Sequence, residues 1–372
     1  NKYRKKILKD LPEPNPKISR SRVQTNDGII LKTRKLTNDT IEVVVKCDVK
    51  NTIPISGAAG QYAALKIDVL NRPRSFSFAK NPENENIGEH TFFVKYVKGG
   101  KFSKWLFEKD RTGDPITLIG PLGKFELDKS EDSILCIAGG SGLSVIKAIL
   151  EHAADLSVAR DVLFLYGAKT QSDLYCLDEI DSIKKKWNKN NKFECVNILS
   201  NEPSDSGWQG PTGFVTDYLK HEYIDNNKFE IKSSRIYMCG PPPMIDLGVK
   251  IIINENVDPE RIYFDKFEDA TSPAPVIDNS KCVLCDECLL VKPTDNCIVE
   301  ASGFHFDGNN EIFGYEKVSP AHTSGLYYNS LFINEKECIR CMACVDKCPT
   351  GAISQSNVVK YDLLRDMKIH LV

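Results

Sequence analysis

The chain has 372 residues, length for about two or three domains and a substantial core. Its composition, 41% apolar, 9% aromatic and 27% charged, excludes a disordered or fibrous chain. Its 49 basic and 51 acidic residues leave a formal charge of −2, which gives no basis for general nucleic-acid binding, and no apolar run is long enough for a membrane span.

Residues 1–25 are rich in Lys, Arg and Pro without periodicity and read as a solvated arm. Asn1–Asp10 is basic but lacks the apolar core of a secretory leader, which with the cysteine pattern predicts a reduced, cytoplasmic setting. From 26 to 128, β-patterned runs at Thr40–Val45, Arg74–Ala79, His90–Val97 and Pro115–Ile119 are broken by Gly and Pro. Such spacing predicts a small barrel or sandwich. From 129 to 269 the pattern changes. Continuous apolar runs at Ser133–Ala138, Val162–Tyr166, Phe193–Leu199, Arg235–Met238 and Arg261–Phe264 alternate with helical stretches. Leu143, Ile146, Leu150 and Ala153 recur at helical spacing after the first run. Buried strands alternating with helices predict a parallel sheet with right-handed crossovers. Residues 270–280 are small, polar and Pro-rich, as in a linker, and 281–372 hold a cysteine module.

Eight of the thirteen cysteines fall between 282 and 348. Clustering at one end of a large chain reads as a metal module rather than a disulfide scaffold. Cys282, Cys285 and Cys288 form C-x2-C-x2-C, with Cys297 beyond; Cys338, Cys341, Cys344 and Cys348 form C-x2-C-x2-C-x3-C, followed by Pro349. Structural zinc takes ligand pairs separated by a longer loop and suits two triplets poorly. In two-cluster ferredoxins the remote cysteine of each motif ligates the other cluster. That rule assigns Cys282, Cys285, Cys288 and Cys348 to one [4Fe–4S] cluster, and Cys338, Cys341, Cys344 and Cys297 to a second. Cys338–Ile353 closely resembles bacterial-type ferredoxins, which implies a small α+β ferredoxin-like domain. The first motif departs from that pattern: its last gap is longer, and Ile298 follows Cys297 where Pro is usual. The 298–337 insertion carries Phe304, Phe306, Phe313, Tyr315, Tyr327 and Tyr328, which suit either an interface or a local hairpin.

Ser133–Ala153 reads as strand, glycine turn and helix. Such a turn either admits a phosphate to backbone N–H groups at a helix start or is a plain tight turn. Val145 stands where the common dinucleotide fingerprint has its third glycine. The wider pattern is more specific. Arg74-Ser75-Phe76-Ser77, Gly100-Lys101-Phe102-Ser103, Gly120–Gly123, Gly139–Ser144 and Cys239-Gly240-Pro241-Pro242 occur in that order. Over about residues 26–268 the chain resembles the ferredoxin–NADP reductase superfamily, and most closely the reductase components of bacterial multicomponent monooxygenases. The resemblance implies an antiparallel β-barrel that binds FAD and an α/β parallel-sheet domain that binds NAD(P)H. Arg74 would pair with a flavin phosphate, Ser75 and Phe76 would line the flavin, and Ser77 would hydrogen-bond near its N5, where hydride arrives. Gly100 and Ser103 would hold a pyrophosphate at a helix start, and Val94, Tyr96 and Phe267 complete the cofactor lining. Gly139, Gly140, Ser141 and Gly142 would line the nicotinamide nucleotide's pyrophosphate. Cys239, Gly240 and Pro241 would sit beside the nicotinamide ring, making Ser77 and Cys239 the catalytic pair, although Cys239 also reads as a buried, inert thiol. Cys136 and Cys195 read as core, and the six histidines match no metal spacing. NADPH-using relatives place a cation after the third strand. Here Ser200 and Asn201 are followed by Glu202, which favours NADH, while Lys169 leaves NADPH possible.

These parts imply one electronic sequence. Nicotinamide gives electrons in pairs, iron–sulfur clusters take them singly, and a flavin does either. The expected enzyme is an NAD(P)H-dependent flavoprotein reductase that feeds a separate redox protein, an oxygenase component foremost. Two alternatives stand beside it: reduced ferredoxin driving NAD(P)H formation, and an electron-relay subunit of a larger complex.

Overall fold

The computed structural model describes residues 23–50, 53–70, 73–267, 275–278, 281–283, 285–293, 297–306, 312–317, 330–334, 338 and 342–354. The arm expected at 1–25 lies almost wholly outside these, as do most of the expected linker and Cys341, Tyr327 and Tyr328. The chain divides into two compact units, one containing Ser21–Leu70 with Arg74–Ala270, the other containing Thr271–Val372.

The larger unit begins with six antiparallel strands: β1 (Gln24–Lys35), β2 (Thr40–Cys47), β3 (Tyr62–Lys66), β4 (Arg74–Ser77), β5 (Glu89–Lys95) and β6 (Pro115–Leu122). Their order is β4-β3-β6-β1-β2-β5, and a bridge between Phe78 and Phe92 brings the two outer strands together, so the barrel nearly closes. β-branched and aromatic residues fill it: Ile30, Val43, Val45, Leu65, Phe78, Phe92, Val94 and Leu118 form its core. Helix α1 (Lys101–Glu108) crosses with Phe102 and Leu106 turned inward.

Five parallel strands follow: β7 (Ile134–Gly139), β8 (Val162–Ala168), β9 (Phe193–Leu199), β10 (Arg235–Gly240) and β11 (Ile262–Lys266), in the order β11-β10-β7-β8-β9. Helices α2 (Leu143–Asp155) and α3 (Leu177–Lys186) cover one face, while α4 (Val215–Tyr218) and α5 (Pro242–Asn254) cover the other. Both faces are therefore buried, which is why the strands read as continuous apolar runs. The strand order reverses between β7 and β10, and ligands bind α/β sheets outside the carboxyl ends at such a point. The core on the α2 side also takes in Ala59, Ala79 and Phe93, so the barrel packs directly on this domain.

The smaller unit contains β12 (Val276–Ile277), α6 (Glu287–Leu290), β13 (Ile298–Phe306), β14 (Ile312–Lys317), β15 (Ser330–Ile333), α7 (Ala343–Lys347) and β16 (Ile353–Ser354). β13 pairs antiparallel with both β14 and β15, so a three-stranded sheet lies within the 298–337 segment; β12 pairs with β16. No helix among the described residues is long and apolar enough to cross a membrane.

One buried histidine gives the barrel a pH signature. His90 of β5 is 3% exposed beside Phe78, and neither ring nitrogen has a hydrogen-bond partner among the described residues. Burial, with a smaller contribution from Lys46, pushes it down to about 4. The unfolded chain takes up a proton below about 6.5 that the folded form refuses, so stability falls as pH drops through that window. His90→Phe is expected to flatten this acid-side loss, by up to roughly 3 kcal/mol at the acid end. Thermal melts with the same pH slope in both proteins would refute the assignment.

Candidate functional site

β4 pairs with β3 so that Leu65 faces Arg74 and Tyr62 faces Ser77. Along it Ser75 is exposed, Arg74 and Phe76 are half-buried, and Ser77 is buried. The Phe76 ring rests on Phe102 at 5.1 Å, which joins this strand to α1. Gly100 caps α1 with no side-chain bond, leaving first-turn N–H groups for an anion. A Cβ on Gly100 would lie 2.9 Å from the Ser103 hydroxyl and 3.0 Å from the Val97 carbonyl, so a side chain there would press on both. The Ser103 hydroxyl is itself engaged: it accepts from the Val97 N–H at 3.0 Å and donates toward the Val97 or Gly100 carbonyl. Val94 lies wholly in the barrel core, which leaves its backbone rather than its side chain for a ligand. Tyr96 is exposed, with its ring edge against Phe107.

The second half of the site sits where β7 and β10 end side by side, with Cys239 opposite Ala138. Gly140 has φ +54°, and its carbonyl accepts from the Tyr175 hydroxyl at 3.0 Å. A Cβ on Gly142 would lie 2.1 Å from the Cys239 carbonyl oxygen, and one on Gly139 would lie 2.6 Å from the Met244 sulfur. Ser141 offers its carbonyl to the Ser144 hydroxyl at 2.9 Å. Gly240 has φ +154°, Pro241 caps α5, and the Phe267 N–H donates to the Gly240 carbonyl at 3.0 Å. At the end of β8 the backbone carbonyl of exposed Lys169 accepts the Asn201 N–H at 2.8 Å. Glu202 accepts two bonds from Gln171, from its backbone N–H at 2.7 Å and its side-chain amide at 2.6 Å. Those bonds hold the Glu202 carboxyl below its usual range, charged beside the loop that follows β8.

Cys239 is fully buried, and burial drives its thiol well above the ordinary range, with Asp265 adding to the effect. It is therefore a neutral thiol, not a thiolate nucleophile. Asp265 is its register partner on β11. The sequence reading missed it, although an acid inside the apolar run Ile262–Phe264 and its continuation is an available signal. Burial raises Asp265 to about 6. The folded state therefore holds a proton that the unfolded chain releases near 4, so stability falls as pH rises between those values. Asp265→Asn is expected to exceed the parent by about 2 kcal/mol at pH 8 and to match it at pH 4; equal stabilities at both pH values would overturn this.

In the smaller unit two cavities each gather cysteines from both motifs. One is lined by Cys282, Cys285, Cys288 and Cys348. The other is lined by Cys297, Cys338 and Cys344, with Met342. Burial raises the Cys288 thiol to about 11, and Cys282, Cys285 and Cys348 push it further as close neighbours. Burial opposes ionisation of Cys348, but Thr350 and the backbone N–H groups of Thr350, Ile353 and Ala352 hold it below the usual value; the Ala352 N–H lies 3.2 Å from its sulfur. Asp286 and Met342 both take left-handed backbone, φ +62° and +57°, at the same place between the second and third cysteines of each triplet. Among the described residues no three His, Cys, Asp or Glu converge on a point for a single ion. Thiols spread round a cavity fit a polynuclear iron–sulfur group better than a lone metal.

A barrel with an anion-ready helix start, joined to a parallel sheet with a glycine-lined switch point and followed by a cysteine unit, defines a flavin- and nicotinamide-binding oxidoreductase. Comparison with known proteins agrees. Residues 28–127 match an oxidoreductase FAD-binding domain, 136–250 an oxidoreductase NAD-binding domain, and 331–354 a 4Fe-4S binding domain. The chain is 39% identical over 240 residues to the xylene/toluene monooxygenase electron transfer component of Pseudomonas putida, covering 64% of this chain and 65% of that one. It is 34% identical over 257 residues to a ferredoxin–NAD(P)(+) reductase of Metapseudomonas resinovorans, covering 68% and 71%. The solved structure of the ferredoxin reductase in carbazole 1,9a-dioxygenase superposes with TM-score 0.58 at 29% identity, over 68% of this chain and 71% of that one. The chain belongs to the ferredoxin–NAD(P)(+) reductase family. Its match spans just under two thirds of the Pseudomonas component's length.

Proposed function

We propose that the protein takes hydride from NADH onto FAD and passes electrons singly through two [4Fe–4S] clusters to a separate redox protein, an oxygenase component. One observation carries the reading: a single chain combines a flavin-type barrel, a nucleotide-type switch point, and two cavities that each draw cysteines from both motifs. When bound, FAD supplies the conversion between paired and single electrons. The chain's own residues position it. Arg74 pairs with a flavin phosphate through its planar fork, and the start of α1 at Gly100–Ser103 receives the pyrophosphate. Ser75, Phe76 and the backbone of Val94, with Tyr96 and Phe267, border the flavin, and buried Ser77 presents its hydroxyl to the ring edge. The Gly139–Gly142 turn admits the nicotinamide nucleotide's phosphates, while Cys239, Gly240 and Pro241 wall the nicotinamide. The neutral Cys239 thiol adds no charge of its own beside the ring.

The Gln171–Glu202 pair supports NADH as the donor. A carboxylate that follows β9 and is pinned by Gln171 of the loop after β8 accepts ribose hydroxyls and repels a 2′-phosphate. Glu202→Gln is expected to narrow the preference in kcat/KM for NADH over NADPH by about tenfold. An unchanged ratio would remove Glu202 from the selectivity.

The cluster reading places Cys282, Cys285, Cys288 and Cys348 on one cluster and Cys297, Cys338, Cys341 and Cys344 on the other. Anaerobic purification is expected to give about eight iron atoms and one FAD per chain. Cys348→Ser and Cys285→Ser should then lose the same electron-paramagnetic signal, and Cys297→Ser and Cys344→Ser the other. About four irons, or a Cys348→Ser spectrum that matches Cys344→Ser, would defeat the arrangement. Stopped-flow reduction by NADH, followed by reoxidation with candidate oxygenase components, tests direction and acceptor together.

A further inference from the structure

Helix α2 leaves the Gly139–Gly142 turn with an almost wholly apolar inner face. One cation lies on that face: Lys147, which is 0% exposed. A solitary ammonium would not stay charged in such a place. Burial does press the Lys147 pKa down, but Glu151 and Glu179 more than reverse this. Its Nζ donates to the Ala79 carbonyl at 3.1 Å and meets Glu151 Oε1 at 2.5 Å and Glu179 Oε2 at 2.8 Å.

The partners come from both halves of the larger unit. Ala79 lies two residues beyond Ser77 on the chain leaving β4, Glu151 is one turn further along α2, and Glu179 lies in the first turn of α3. Glu179 also meets Arg34 of β1 at 3.4 Å, and Arg34 grips Glu42 of β2 with two bonds at 3.1 and 2.8 Å. Glu42 is only 2% exposed. The other Glu151 oxygen accepts the Asn81 N–H at 2.9 Å. Charge thus alternates from Glu42 through Arg34, Glu179 and Lys147 to Glu151, and the line crosses from barrel to α/β domain and back beside the flavin strand. A buried ion pair yields little stability over apolar packing of equal volume, so what this line supplies is a fixed geometry.

We infer that Lys147 is a positioning residue for hydride transfer, fixing the exit of β4, and with it Ser77, against the helix that starts at the nucleotide turn. The inference rests on the hydride-transfer reading above. In that step the C4–H bond pair of NADH moves to the flavin ring, the nicotinamide is oxidised, the flavin is reduced, and a solvent proton completes the reduced flavin. Reacting atoms must approach to about 3–3.5 Å, and a misplacement of about 1 Å costs about 100-fold in rate.

Lys147→Met keeps an unbranched side chain one atom shorter and removes the charge. In the FAD-loaded full chain, stopped-flow reduction by NADH is expected to show a limiting rate about 100-fold lower, with NADH affinity and FAD content close to the parent's. The long-wavelength absorbance of nicotinamide stacked on flavin should weaken in parallel, a signature that loss of stability alone would not move. Should Lys147→Met fail to hold FAD, the double variant Arg34→Gln/Glu179→Gln at the more exposed end of the line serves in the same assay, with about a tenfold fall expected. Parent-like limiting rates and an unchanged absorbance in a folded, loaded variant would overturn the inference. So would a loss confined to NADH affinity. A parent that neither nicotinamide reduces would instead overturn the proposed function.

Discussion

A methyl group on Gly142 would come within 2.1 Å of the Cys239 carbonyl, closer than real atoms approach. That contact sets how near the end of β7 and the start of α2 lie to the end of β10. Everything at the switch point inherits the spacing. Gly140 turns there with left-handed backbone, φ +54°, and Gly240, one strand over, takes φ +154°, a conformation that side chains rarely adopt. Glycine turns at a helix start bring backbone N–H groups rather than side chains to a ligand, the form of site that phosphates favour.

Burial then tunes the groups around that crevice in opposing directions. It keeps the Cys239 thiol neutral and lifts Asp265 toward physiological pH, while hydrogen bonds from Gln171 keep Glu202 charged at the far end of the sheet. Cys239 and Asp265 stand side by side at the ends of β10 and β11, and Glu202 lies past the end of β9. Lys147 is the exception, a full charge at the heart of the interface, kept so by two carboxylates and one carbonyl.

Much of this was readable in advance where the constraint is local. Cysteine spacing is a property of a single loop, so the triplets at 282–288 and 338–344 announced themselves, and continuous apolar runs marked the strands β7 to β11. What depends on long-range packing was not readable. Lys147 looks like a solvent-facing lysine until α3 and the chain after β4 close over it. Val94 and Ser103 match cofactor motifs by position, yet one side chain is absorbed by the barrel core and the other by its own turn. Asp265 passed unnoticed because only the parallel pairing of β10 with β11 brings it to Cys239.

The crossed lining of the two cavities reaches beyond electron transfer. Cys348 closes the first cavity and Cys297 the second, so each pocket stitches together stretches that lie more than forty positions apart in the chain. A metal group seated in either would act as a cross-link, much as a disulfide does in a small secreted domain, with its binding energy counted directly in the unit's folding. Oxidative damage at one centre would then loosen the walls of its neighbour, and the pair would be assembled, and lost, as one.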